Sequence, residues 1–307
     1  MSHPSSPSTP LLTVAFLGIG LMGKPMACRL LQAGYSLRAW NRTKPKAEVL
    51  APFGAYVADS PADAVAGANI AICMLEAGPA VAAVIDLAMP SLRPDALVID
   101  MSSTRQSEAQ ALHAVLAKHG VAFIDAPVSG GVLGAEAGSL AIMAGGAPED
   151  FDRAKPVLQV MGRPTLVGPA GCGQLAKLCN QLIVGATLDI VAEALLLAQA
   201  GGADPAAVRQ AIRGGFAESR ILEVHGQRML DRNFMPGGQI KSQTKDLENV
   251  LIAAAAAGLT LPVTELVTQH YRSILNDLPN ADQSAALLAL ERSNPGKRLG
   301  SGKDQLP

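Results

Sequence analysis

The stretch Val14–Thr43, "VAFLGIGLMGKPMACRLLQAGYSLRAWNRT", decides how the rest of the chain is read. It opens on the apolar run Val14–Leu17 and turns through Gly18, Gly20 and Gly23 in G-x-G-x-x-G spacing. It then continues as a helix-length segment up to Gly34 and closes on a second strand-like run ending at Trp40. The spacing alone is a weak signal. A strand before it, a helix after it and a second strand beyond supply the context in which it holds a dinucleotide. Gly18 is expected to make the tight turn, Gly20 to let the backbone approach a pyrophosphate, and Gly23 to let the helix lie against the strand, with the phosphates at the helix N-terminus.

The residues just after the second strand bear on which dinucleotide is bound. A site for NAD places Asp or Glu there to bond the ribose 2′-hydroxyl, and a carboxylate would repel a 2′-phosphate. This chain has Asn41, Arg42, Thr43 and Lys44 instead. An amide, a guanidinium and a hydroxyl suit a phosphate, so the expected cofactor is NADP(H).

Outward from this stretch, 307 residues are enough for two domains. From Thr13 to about Val167, strand-like runs ("TVAFLG", "YSLRAW", "NIAICML", "ALVIDM", "VAFIDAP", "LAIMAG", "TLVG") alternate with helix-length segments. In one of these, Ser107–His119, the residues Ala111, Leu112, Val115 and Leu116 fall on one side at helical spacing. The alternation predicts an α/β Rossmann-type fold, a doubly wound, mostly parallel sheet, over residues 13–172. After Gly173 the β signal stops. Helical periods over 173–200, 205–214, 219–230, 243–257 and 263–276, with a last one near Gln283–Arg292, predict an all-α domain over 173–292. Residues 1–12 and 293–307, rich in Ser, Pro, Gly and charge, are expected to be a flexible leader and tail.

Composition narrows the partner. A net charge of −1 offers no basic stripe for nucleic acid or an anionic membrane, which leaves a small molecule. No apolar run reaches membrane-spanning length without Gln, Asp or Glu interrupting it, so no membrane segment is expected. Cys28, Cys73, Cys172 and Cys179 lack the spacing of a zinc site. They read as reduced core residues of a cytoplasmic protein with no metal, and the N-terminus has neither signal-peptide nor transit-peptide character.

Two further segments carry chemistry. "GQLAKLCNQLIVGATLDIVAEALLLAQA", Gly173–Ala200, is a long apolar helix that keeps Lys177 near its start and Asn180 about one turn on. Burial lowers a lysine's pKa toward the range useful for proton transfer. A lysine beside a nicotinamide can protonate the oxygen on which charge grows as hydride reaches a carbonyl carbon. A lysine whose ammonium merely reaches out of a surface helix is the commoner alternative. "FIDAPVSGG", Phe123–Gly131, ends a strand with Ser129, Gly130 and Gly131, whose hydroxyl and mobile backbone N–H groups suit a substrate carboxylate.

Taken together, these segments resemble the β-hydroxyacid dehydrogenases, the family of 3-hydroxyisobutyrate dehydrogenase and tartronate semialdehyde reductase, over residues 13–292. "FLGIGLMGKPMACRL" resembles the family's cofactor fingerprint, "DAPVSGG" its substrate loop, "GCGQLAKLCNQ" its catalytic helix and "KDL" at Lys245–Leu247 its late cofactor-side motif. The resemblance implies that Lys177 is the general acid/base and Asn180 orients substrate. It implies that Ser129, Gly130 and Gly131 bind the carboxylate, that Lys245 lines the site near the nicotinamide, and that Asp246 holds the local structure. Ile19, Leu21 and Met22 would join the three glycines around the cofactor, with Met74, Leu75 and Ser103 bordering its nicotinamide end. A homodimer or homotetramer through the helical domain is implied as well.

The chain departs from the family pattern at Glu76, where Pro is frequent, at Gln181 in place of a second Asn, at Gly238 where an aromatic is frequent and at Ser242 in place of Leu. Candidate substrates are tartronate semialdehyde, methylmalonate semialdehyde, succinic semialdehyde and glyoxylate. Imine reductases share the architecture but typically carry Asp or Tyr at the lysine's position. A non-catalytic cofactor-binding module would have lost that proton donor, whereas Lys177 and Asn180 are both present.

Overall fold

The computed structural model describes residues 12–307, so the expected leader lies, apart from Leu12, outside the described residues. The chain divides into two compact units, the first running to Lys177 and the second starting at Leu178. The division falls inside the helix Cys172–Ala200 rather than ahead of it.

Among the described residues, nine strands build the sheet of the first unit: β1 (Thr13–Leu17), β2 (Ser36–Trp40), β3 (Tyr56–Val57), β4 (Ile70–Cys73), β5 (Leu97–Asp100), β6 (Ala122–Asp125), β7 (Val128–Ser129), β8 (Leu140–Gly145) and β9 (Gly162–Gly168). Their order is β3-β2-β1-β4-β5-β6-β8-β7, with β9 joining β8. The first six pair in parallel, and β8 runs antiparallel to β6 and β7. The short strands β3 and β7 are absent from the sequence reading, because two residues are too few to show an alternating pattern.

Helices cover both faces, as the composition of the strands requires. Along β1, Val14 and Phe16 join a core with Met26 and Leu30 of the helix Gly23–Gln32, while Ala15 and Leu17 pack on the other side with Val81, Ile85 and Leu116. The helix expected over Ser107–His119 spans Gln106–Lys118, but it buries Ala109 and Leu116 and leaves Val115 exposed. Its inward face is centred on Ala109, Leu112 and Leu116, so the apolar Val115 is a surface residue.

Register aligns the strand ends. Trp40 pairs with Leu17, Leu17 with Cys73, Cys73 with Asp100 and Asp100 with Asp125. The loops carrying Asn41, Gly18, Met74, Ser103 and Ala126 therefore leave one edge of the sheet side by side, at the carboxyl ends of the strands where doubly wound folds bind ligands.

The second unit is helical, with its core built on Leu188, Val191, Ala192, Leu195 and Leu196 of the long helix together with Met229, Phe234, Leu247 and Tyr271. By length and composition that helix could cross a membrane. Its inward stripe is committed to this core, while Ile183, Ile190 and Leu197 are exposed. Cys179 is exposed as well and Cys28 and Cys172 are half-buried, so only Cys73 is the fully buried core residue expected of all four.

The tail is a correction to the expectation of flexibility. Leu299 is fully buried, the Gln305 carbonyl accepts from Phe234 N–H at 2.9 Å, and Gln305 N–H donates to Arg232 O at 2.8 Å. The buried Arg232 guanidinium binds Glu291 at 2.5 Å, Asp304 at 2.7 Å and the Leu299 carbonyl at 3.0 Å. One apolar anchor and one buried cation hold the segment, and neither leaves a periodic trace in the sequence.

Candidate active site

The three glycines of the loop after β1 answer to different constraints. Gly18 has φ +109°, and a Cβ there would lie 2.3 Å from the Met74 carbonyl oxygen; one on Gly23 would lie 2.0 Å from the Gly18 oxygen. Both are demanded by the protein's own packing. A Cβ on Gly20 would meet nothing within 4 Å, so that position faces open space above the loop. The helix beginning at Gly23 has no side-chain cap and no acid in its first turn, which leaves its positive end suited to an anion. Leu21 is exposed, Met22 half-buried and Ile19 buried in this loop. These residues fit a dinucleotide pyrophosphate.

Asn41 has a structural task beside the one expected of it. Its Oδ1 accepts from Ile19 N–H at 3.0 Å, and its Nδ2 donates to the Thr43 carbonyl at 2.9 Å. The amide thus ties the glycine loop to the turn after β2, where Arg42, Thr43 and Lys44 are all exposed. Lys44 pairs with Asp59 at 2.5 Å.

Behind the strand ends lies a buried polar network. Ser102 Oγ accepts from Leu75 N–H at 2.9 Å, and Ser102 N–H donates to Asp100 Oδ1 at 3.0 Å. Asp125 accepts from Gly171 N–H at 2.7 Å and from Gln174 N–H at 2.8 Å, capping the start of the helix that carries Lys177. The Gln174 side chain donates to the Ser102 carbonyl at 2.8 Å and accepts from Thr104 N–H at 3.0 Å. Burial pushes Asp100 up to about 7 despite its bonds to Ser102, and it raises Asp125 as well. Lys177, the last residue of the first unit, is only 9% exposed.

Ser129 closes β7, and Gly130 and Gly131 come next with φ +137° and +62°, conformations that side chains resist. The helix Gly131–Ala137 then runs beside the glycine loop, where Val132 and Glu136 line a cavity of about 640 Å³ with Ile19, Gly20 and Leu21. The helix that follows Gly130 and the glycine loop after β1 thus share one cavity in the first unit.

The second unit assembles the other candidates. Asn180 Nδ2 donates to Gln181 Oε1 at 2.9 Å, and Gln181 Nε2 donates to Asp246 Oδ2 at 2.8 Å and to Gln243 Oε1 at 3.2 Å. Lys245 Nζ lies 3.4 Å from Asp246 Oδ1. Because a carboxylate only accepts, Asp246 fixes which end of the Gln181 amide faces Asn180, and so which end of the Asn180 amide faces Gln181. The Gln181 departure is thus accommodated by a bond to the helix Ile240–Ala256.

Sequence reasoning missed Asp100, Ser102 and Gln174 and read Asp125 only as part of a loop. Their signal was present: an Asp closing an otherwise apolar strand in "LVID" and again in "AFID" marks a buried carboxylate that needs donors.

The glycine loop, open above Gly20, and the uncapped helix N-terminus suit a nicotinamide dinucleotide, while the buried Lys177 suits proton transfer, the two functions that a nicotinamide-dependent oxidoreductase combines. Comparison with known proteins agrees. Residues 13–173 match the NAD binding domain of 6-phosphogluconate dehydrogenase, and residues 171–290 the NAD-binding domain of NADP-dependent 3-hydroxyisobutyrate dehydrogenase. The chain is 40% identical over 286 residues to 2-hydroxy-3-oxopropionate reductase of Escherichia coli K12, covering 91% of this chain and 97% of that one. It is 34% identical over 273 residues to an NAD-dependent L-serine dehydrogenase of Pseudomonas aeruginosa, covering 85% and 92%. Among solved structures, 3-hydroxyisobutyrate dehydrogenase of Mycobacterium tuberculosis with L-serine superposes with a TM-score of 0.84 at 33% identity, over 91% of this chain and 99% of that one. The chain belongs to the β-hydroxyacid dehydrogenase family.

Proposed function

We propose that this chain is an NADP(H)-dependent reductase, reversible as a dehydrogenase, that interconverts a small semialdehyde or keto acid with its hydroxy acid. The observation that carries the reading is the burial of Lys177 on a helix whose first turn is bonded to the end of β6 and to the loop after β5, on the same edge of the sheet as the glycine motif. Bound at the glycine loop, the nicotinamide would supply hydride to the carbonyl carbon. Lys177 donates the proton to the carbonyl oxygen and takes it back in the reverse direction. Ser129 Oγ and the N–H groups of Gly130 and Gly131 hold the substrate carboxylate, which fixes the carbonyl against the reacting partner. Asn180 orients the substrate, Lys245 lines the nicotinamide side, and Met74, Leu75 and Ser103 border the nicotinamide and its ribose.

Preference for NADP(H) rests on the neutral Asn41 and the exposed Arg42 and Thr43 where an NAD site carries an acid. Both cofactors occur among the matches: the family matched by residues 171–290 is that of NADP-dependent 3-hydroxyisobutyrate dehydrogenase, and the serine dehydrogenase is NAD-dependent. A three-carbon or four-carbon acid is the substrate size favoured, tartronate semialdehyde first, given the reductase of that substrate among the relatives. Exposed Ile183, Ile190 and Leu197, seven residues apart on the long helix, support a homodimer or homotetramer through the helical unit. Four free cysteines accord with a cytoplasmic setting.

The test is a panel of C2–C5 semialdehydes and keto acids assayed by NADPH oxidation, with cyclic imines alongside. Turnover of a carboxylated semialdehyde with release of its hydroxy acid is the expected result. Turnover of the imines alone would overturn it.

A further inference from the structure

Gln174 has no polar function on the surface, since it is fully buried, and no part in the proton transfer described above. Yet every polar group it owns near the sheet is engaged. Its N–H meets Asp125 Oδ2 at 2.8 Å, its Nε2 donates to the Ser102 carbonyl at 2.8 Å, and its Oε1 accepts from Thr104 N–H at 3.0 Å. The amide has one possible orientation, because a backbone carbonyl can only accept and a backbone N–H can only donate. Ser102 in turn receives Leu75 N–H at 2.9 Å, so Gln174 reaches the loop after β4 through a single intermediary.

These bonds converge on one turn of helix. A Cβ on Gly173 would lie 2.4 Å from the Met143 carbonyl and 2.5 Å from the Asp125 carbonyl, so this turn is wedged against the ends of β6 and β8 with no room for adjustment. Lys177 stands three residues after Gln174, on a neighbouring position of the same helical surface. Rotation or translation of the turn that carries Gln174 would carry the lysine with it.

We infer that Gln174 is a positioning residue for Lys177: its side-chain amide locks the first turn of the helix to the Ser102–Thr104 loop and so sets where the ammonium stands relative to the loops that border the nicotinamide. The inference rests on the reading of Lys177 as proton donor. Leucine at this position would fill the space but leave the Ser102 carbonyl and Thr104 N–H without their partner. Glutamate keeps the acceptor for Thr104 N–H and presents an oxygen where the Ser102 carbonyl needs a donor.

The experiment measures kcat, KM for NADPH and the pH profile of kcat for Gln174→Leu and Gln174→Glu, each made in the native chain and in Lys177→Ala, with thermal unfolding recorded for all. In the native background, Gln174→Leu is expected to lower kcat roughly 10- to 100-fold, part of the usual worth of a general acid. KM for NADPH should move less than about threefold, and the pH at which activity falls off should shift, with Gln174→Glu less affected. In the Lys177→Ala background the same substitutions are expected to change kcat less than about twofold, because the group they position is gone. A folded Gln174→Leu with native kcat and native pH profile overturns the inference. So does an equal loss in both backgrounds, which would mark a general effect on the fold; if Gln174→Leu does not fold, the comparison of Gln174→Glu in the two backgrounds decides alone. Failure of the underlying reading looks different, because Lys177→Ala by itself would then retain full turnover.

Discussion

The side-chain oxygen of Asn41 accepts the backbone N–H of Ile19 at 3.0 Å, joining the turn after β2 to the middle of the glycine loop. The residue that marks the absence of an NAD-type carboxylate is therefore also a structural tie between the two halves of the dinucleotide site. Asn41→Asp keeps an acceptor for Ile19 N–H, loses the donor to the Thr43 carbonyl and places a negative charge where a 2′-phosphate would lie. KM for NADPH is expected to rise roughly tenfold or more, about 1.4 kcal/mol, while NADH is little affected. Arg42→Ala should weaken NADPH in the same direction without touching NADH. Parallel kinetics with both cofactors measure this, and equal losses for the two would contradict a role at the phosphate.

Asp100 ties stability to pH. Burial raises its folded-state pKa from 3.8 to about 7, so between those values the folded chain holds a proton that the unfolded chain has released. Stability from this group is therefore fully present below about pH 4 and is lost as pH rises through 7. Asp100→Asn keeps an acceptor for Ser102 N–H and removes the titration. It should flatten the decline in stability between pH 4 and 8 and leave the variant more stable than the native chain at pH 8, by up to about 4 kcal/mol for a shift of this size. Urea unfolding at several pH values reads it, and an unchanged pH slope would contradict the assignment.

The carboxy-terminal segment should prove a structural part of the helical unit. Arg232 is 1% exposed in its side chain and Glu291 11%, whereas Asp304 is 29% exposed. Removing one partner of a buried pair strands the other charge, so Glu291→Ala is expected to cost about 3 kcal/mol. Asp304→Ala, nearer to solvent, should cost distinctly less. Chemical denaturation of the two variants gives the comparison. Native stability in Glu291→Ala would show that the segment is not held this way.

Much of the fold is legible in the sequence because it is local. The G-x-G-x-x-G loop between Leu17 and the helix Gly23–Gln32, the alternation of strands with helices and the end of β signal near Gly173 are all set by neighbouring residues, and the structure reproduces them. The features that sequence does not reveal depend on partners distant along the chain. Arg232 finds Asp304 across 72 residues, and the tail it holds has no pattern of its own. Gln174 reaches Ser102 across 72 residues as well, so nothing near it in sequence reveals what its amide does. Asn41 is recognisable as a non-acid, yet sequence spacing does not show that Ile19 N–H lies within its reach.

Lys177→Ala separates proton donation from cofactor binding when turnover of a semialdehyde and binding of NADPH are followed side by side, the latter through the single tryptophan, Trp40, beside the glycine loop. Loss of the proton donor is expected to lower kcat by about 10²–10⁴ while NADPH binding stays near native strength. Turnover retained at the native rate would exclude Lys177 as the proton donor and place that role on another residue.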